Sequence, residues 1–146
     1  MKNRDISQGV TIDTPPVTIL WGVDEEKCKQ LIASHEMTED TSDGFTTFML
    51  PHVTYLGVQD LVAVFRFDLS PGNLKVIEFQ HGGENFQEKF EEVNNALKNF
   101  FGAEEGTAMD ENSGFSGLTW NVHGVKVSSY IWASAGGEIA MLTLEK

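Results

Sequence analysis

Hydrophobic and polar residues alternate with a period of two in several stretches, a pattern that predicts half-buried strands. Within DLVAVFRFDL, residues 60–69, Phe65 and Phe67 fall on one face and Arg66 on the other. The sequence SPGN at residues 70–73 is typical of a tight turn, so the strands on either side of it are expected to form a hairpin. The predicted strands are residues 45–50, 53–58, 60–69, 73–80, 118–122, 125–133 and 138–145. Residues 17–20 are expected to be a short strand or lead-in, and one interpretation of residues 10–12 is a further short strand.

Helical spacing of hydrophobic residues predicts two helices. The longer one covers residues 85–101, with Asn85 as its N-cap and Gly102 as its stop. Its apolar stripe recurs every three or four residues and consists of Phe86, Phe90, Val93, Leu97, Phe100 and Phe101. A shorter helix is predicted over residues 24–34, with Asp24 as its N-cap.

These elements predict an α+β fold in which two helices pack on one face of a twisted antiparallel sheet. The predicted order is α-β-β-β(-β)-α-β-β-β. Residues 1–16 are expected to be a polar N-terminal arm, and residues 17–146 a single domain. Two acidic stretches, residues 35–44 and 103–117, are predicted to be loops.

In element order, residues 17–146 resemble the acidic class of type III secretion chaperones, with a strand in place of the final helix and no shared motif. They are also similar in layout to the helix-plus-sheet immunity proteins of bacterial toxin systems. The first resemblance implies a small dimeric chaperone, and the second implies an inhibitor of a toxin domain. Both are likenesses of architecture, and an architecture alone does not define a function.

The net charge of the chain limits the kinds of partner that we expect it to bind. The chain of 146 residues carries 10 basic and 22 acidic residues, for a net charge of −12. Nucleic acids and anionic membrane surfaces need clustered Lys and Arg, so we expect neither as a partner. A single cysteine excludes an internal disulfide and suits a reducing compartment. Because the first residues lack an apolar signal-like segment, we expect a cytoplasmic protein.

The stretch FQHGGENF, residues 79–86, has two glycines before a helix, as a phosphate-binding loop does. Its neighbours are mostly glutamates, which would repel an anion, so we interpret it as a corner between strand and helix. The four histidines are far apart in sequence, and no zinc-ligand spacing is present. The stretch EDTSDG, residues 39–44, resembles the start of a calcium loop, but Leu50 stands where the bidentate glutamate is required.

No arrangement of residues indicates catalysis, and no metal or cofactor is expected. Cys28 lies at the spacing of an apolar helix face with Leu31 and Ile32, which predicts a buried thiol. No nucleophile-elbow pattern accompanies the serines. Tyr130 and Trp132 share a strand face with Lys126, so they form an exposed aromatic patch if that face is outward and cover the core edge if it is not.

Acidic residues concentrate on the longer helix and the loop after it. Between Lys75 and Lys126 lie nine acidic residues and two basic ones. One interpretation is a solvated helix face and loop, and the other is a docking surface for a basic protein. The candidate partner-binding residues, with one apolar anchor, are Glu88, Glu91, Glu92, Glu104, Glu105, Asp110, Glu111 and Phe115.

The leading hypothesis is a non-enzymatic protein-binding module, such as an acidic immunity or inhibitor protein that faces a basic toxin or nuclease domain. Salt should then accelerate dissociation of the complex. The second hypothesis is a secretion-type chaperone, a homodimer that holds an unfolded apolar segment on its sheet. The third is a small-molecule-binding domain with a pocket between sheet and helix.

Overall fold

The computed structural model describes residues 6–42, 44–68, 73–101, 107–108, 116–134 and 137–146. Within these residues the strands are β1 (Gly9–Ile12), β2 (Val17–Leu20), β3 (Thr38–Ser42), β4 (Phe45–Tyr55), β5 (Val58–Asp68), β6 (Val76–Gly82), β7 (Thr107–Ala108), β8 (Ser116–Val122), β9 (Val125–Ser134) and β10 (Gly137–Glu145). The helices are α1 (Glu25–Ile32) and α2 (Phe86–Phe101). The predicted α+β class, dominated by antiparallel sheet, is confirmed.

Eight of the described strands form one antiparallel sheet in the order β3-β4-β5-β6-β10-β9-β8-β7. Two meanders, β3 to β6 and β8 to β10, meet where β6 pairs with β10. The predicted hairpin of strands 60–69 and 73–80 is confirmed by the β5–β6 pairing. The predicted C-terminal meander is confirmed as well, with a turn at His123 and Gly124 whose φ values of 53° and 82° suit a tight hairpin.

Helix α2 covers one face of this sheet, here called the inner face. The helix lies next to β10, β9, β5 and β6, so it crosses the junction of the two meanders. Val93 and Leu97 of α2 are buried in one core with Phe65 of β5 and Phe79 of β6. Of the predicted apolar stripe, Val93 and Leu97 are buried, whereas Phe86, Phe90 and Phe100 are only partly buried.

The first described residues form a second, two-stranded sheet in which β1 pairs with β2. Ile6, Val10 and Ile12 are buried in the same core as the inner face. Helix α1 packs chiefly against β2 and adds buried Cys28 and Ile32 to that core. Asp24 caps α1 as predicted, since its side chain accepts a hydrogen bond from the Lys27 amide at 2.7 Å.

The observed order departs from the predicted one in several places. The β1–β2 hairpin precedes the first helix, and part of the predicted loop 35–44 is strand β3. The predicted strand 45–50 and residues 53–55 of the next one form a single strand β4, whose register shifts after Leu50. Pro51 has no amide to donate, and this irregularity accommodates it without ending the strand. The chain reverses instead at Leu56 and Gly57, both with positive φ.

Two further differences concern the predicted loop 103–117 and the packing of the helices. Strand β7 comprises only two residues within the predicted loop 103–117, and β8 begins at Ser116, inside the same predicted loop. Both helices were predicted to pack on one face of the main sheet. Helix α2 does so, whereas α1 packs chiefly against β2 of the two-stranded sheet. The turn at residues 70–73 and the helix stop at Gly102 lie outside the described residues, apart from Asn73.

Replacing Leu97 by alanine should lower the free energy of unfolding by about 2–4 kcal/mol, because it removes a fully buried side chain from the α2–sheet contact. Urea unfolding followed by circular dichroism measures the change. The adjacent Lys98 is exposed, so Lys98→Ala is the control and should shift the stability by less than about 0.5 kcal/mol. Equal effects from the two variants would contradict the position of α2.

Candidate functional site

The predicted acidic surface lies on the solvent side of α2. Glu88, Glu91 and Glu92 are exposed, and Glu84 is exposed just before the helix. Positions 88, 91 and 92 fall within one helical turn, on the side opposite the buried Val93 and Leu97 stripe. The structure therefore brings these three predicted site residues together.

Lys89 behaves differently from its acidic neighbours. Its side chain is only 10% exposed, and its Nζ donates a hydrogen bond to the Gln59 carbonyl at 2.9 Å, with Glu92 Oε1 at 3.5 Å. The apolar stem packs on the sheet side of the helix while the ammonium reaches the start of β5. The positive charge is thus withdrawn from the solvent side, which is left with carboxylates over the first turns of α2.

The remaining predicted site residues lie outside the described residues. They are Glu104, Glu105, Asp110, Glu111 and Phe115. Their assignment to the partner-binding surface stays a prediction.

The strand-to-helix stretch is organised around His81. Its Nδ1 lies 2.9 Å from the Asp60 carbonyl and its Nε2 lies 2.8 Å from the Asn85 side chain. Both partners are oxygen acceptors, the Asp60 carbonyl and Asn85 Oδ1, so a ring nitrogen that carries a proton donates to the oxygen it faces. Both ring nitrogens are occupied by the protein, and the Asn85 side chain ties the helix start to β6. His81 therefore fixes the connection between β6 and α2 against the start of β5.

The other candidate chemistry also has structural explanations. Cys28 is fully buried, and burial raises the pKa of its thiol from 9.0 to about 12. The predicted burial of this cysteine is confirmed. The calcium-like stretch at residues 39–42 is part of strand β3, hydrogen-bonded to β4. Among the described residues, no three His, Cys, Asp or Glu side chains lie together as a metal site would require.

The sheet face turned away from α2, here called the open face, has a mixed surface. Trp132 is 41% exposed and Tyr130 is half-buried, with its hydroxyl 3.2 Å from Thr143 Oγ1. The Lys126 side of β9 is therefore the outward one. Four strands away across the sheet, Met49 and Phe45 of β4 are also exposed on this face.

Arg66 is the central charged residue of the open face. Its Nη1 donates to Glu78 Oε2 at 3.1 Å, and the other oxygen of Glu78 accepts from Gln80 Nε2 at 3.3 Å. The Glu78 side chain is 11% exposed, whereas that of Arg66 is 40% exposed. Sequence patterning placed Arg66 on the polar face of its strand, but it contained no signal that Phe45, Met49 and Gln80 would surround it.

Neither α1 nor α2 nor any other helix among the described residues has the length and apolar character needed to cross a membrane. Comparison of the chain with protein-family models, with curated proteins and with solved structures found no match.

Lys89 should react with acetic anhydride much more slowly than Lys98, because the first side chain is tethered against the sheet and the second is exposed. Limited acetylation of the native protein, followed by peptide mass spectrometry, compares the two lysines within one sample. In the unfolded protein both should be modified equally. Equal modification in the native protein would contradict the inward position of Lys89.

Cys28 should resist dithionitrobenzoate at about pH 8, where its raised pKa leaves almost no thiolate and the fold blocks access. Unfolding in guanidinium chloride should expose the single thiol of the chain at once. The sign of the pKa shift makes alkaline pH destabilising: the unfolded thiol ionises near 9.0 while the folded one stays protonated until about 12. Rapid labelling of the native protein would contradict this burial.

Proposed function

We propose that the protein is a cytoplasmic, non-enzymatic binding module that engages a basic protein through the acidic side of α2. The observation that carries the proposal is the withdrawal of Lys89 to the Gln59 carbonyl. Because of it, Glu88 and Glu91 face solvent with no cation beside them on the helix until Lys98. An inhibitor of a basic toxin or nuclease domain fits this charge distribution.

Rigidity makes this surface suitable for recognition. The helix beneath the carboxylates is fixed by buried Val93 and Leu97, and the Asn85–His81 contact holds its start. Carboxylates on a fixed helix lose little conformational freedom when a partner binds. Complementary charge accelerates encounter and sets the register of docking, so the association rate should fall steeply as salt is added.

Reversal of two charges on α2 should remove binding of such a partner. In the double variant Glu88→Lys with Glu91→Lys, a basic protein captured by the wild type from native lysate should be lost or released at lower salt. The control is Glu26→Lys with Glu138→Lys, which changes the net charge equally at exposed positions outside α2. Melting curves should show that both variants remain folded.

Two results would contradict the proposal. One is an identical set of captured proteins for the two double variants. The other is a partner that stays bound to the wild type at high salt, because a contact made by exposed carboxylates is screened there.

A second candidate function, a chaperone for an apolar segment, is favoured by the open face. Phe45, Met49 and Trp132 are exposed there, although most large hydrophobic residues of the described chain are buried. This function predicts a homodimer and a complex that tolerates salt. Light scattering after gel filtration, combined with the salt series above, separates the two candidates.

A further inference from the structure

A groove runs along the open face of the first meander. Its volume is about 480 Å³, and it is bounded by side chains from four adjacent strands, β3 to β6. The lining residues are Asp40, Phe45, Thr47, Met49, Val64, Arg66 and Gln80. A smaller cavity of about 230 Å³ adjoins it and shares Phe45 and Arg66. Arg66 therefore lies at the junction of both spaces.

Glu78 holds Arg66 in place, but this contact uses only one nitrogen of the guanidinium group. Glu78 accepts from Nη1 alone, at 3.1 Å, while a guanidinium carries five N–H donors. Glu78 is itself fixed by Gln80 and is nearly buried, so it acts as a positioning residue. Arg66 also lines the groove, and a planar guanidinium can bind a carboxylate through two parallel hydrogen bonds.

The walls beside Arg66 supply an apolar surface. Phe45 and Met49 are partly exposed at the groove, and Val64 lies at its floor, 2% exposed. Methionine adapts to ligands of different shape because its side chain is flexible and polarisable. Thr47 and Gln80 add hydrogen-bonding groups. A volume of this size is in the range that accommodates a small organic molecule.

We propose that this groove binds a small monocarboxylic acid with an apolar body, its carboxylate on Arg66 and its body against Phe45, Met49 and Val64. Asp40 on the β3 side of the groove and Glu145 beside the smaller cavity repel a second negative charge, so dicarboxylates and phosphates bind more weakly. Lys75 lines the smaller cavity and adds attraction for a single anion. The site is on the face opposite the acidic side of α2 and does not depend on it.

Titration calorimetry of the full chain at low salt tests the proposal with octanoate and 4-phenylbutyrate as probes. Both acids should bind, and 1-octanol and octylammonium should bind at least about tenfold more weakly, because they lack the carboxylate that pairs with Arg66. Succinate and inorganic phosphate should bind more weakly than octanoate.

Three variants locate the site. Arg66→Met keeps an apolar stem and should weaken octanoate binding about tenfold or more. Lys126→Met removes the same charge from the same face outside the groove, and its affinity should stay within about twofold of the wild type. Thr47 lies directly opposite Arg66 in the β4–β5 pair, so Thr47→Glu places a competing carboxylate beside the guanidinium and should also weaken octanoate binding about tenfold or more, even if Arg66→Met proves unstable.

Several outcomes would overturn the assignment. These are no binding of either acid tighter than about 1 mM, equal binding of octanol and octanoate, or unchanged affinity in Arg66→Met or Thr47→Glu. Binding of a peptide with an apolar carboxyl terminus, without binding of the free acids, would also overturn it in favour of a peptide-binding groove.

Discussion

The pairing of β6 with β10 is the interaction on which the rest of the structure depends. It runs from Val76 opposite Glu145 to Gly82 opposite Ile139, and it turns two separate meanders into one sheet. Without it, each meander would end in an unpaired central strand with exposed backbone donors and acceptors. Helix α2 lies across this junction, so the burial of its apolar stripe requires both meanders at once.

This junction also explains which parts of the fold could be predicted. Helix α2 and the strands of the C-terminal meander have local signals: a stripe repeated every three or four residues, period-two alternation and a His-Gly turn. The β6–β10 pair has no such signal, because its two strands are separated by a helix and three other strands. Strand β3 was missed because its residues are polar on both sides, and only its hydrogen bonds to β4 define it.

The candidate surfaces show the same division between local and distant information. Exposure of Glu88, Glu91 and Glu92 follows from their offset to the Val93 and Leu97 stripe, so the sequence could predict it. The inward position of Lys89 could not be predicted by counting apolar residues. The aliphatic part of a lysine side chain can be buried as a hydrophobic residue is, while its ammonium group donates to a backbone carbonyl. The groove around Arg66 depends on the register of four strands, which no short stretch of sequence specifies.

The central position of β10 has a consequence for how the chain reaches its native state. Joining β6 to β10 closes a long loop that contains α2 and strands β7 to β9, and the entropy of that closure is lost before the contacts are gained. The two half-sheets can each form early, with β6 and β10 as bare edges. Because a bare β6 or β10 edge offers the same backbone donors and acceptors to a second copy, refolding at high protein concentration favours an exchange of half-sheets between molecules.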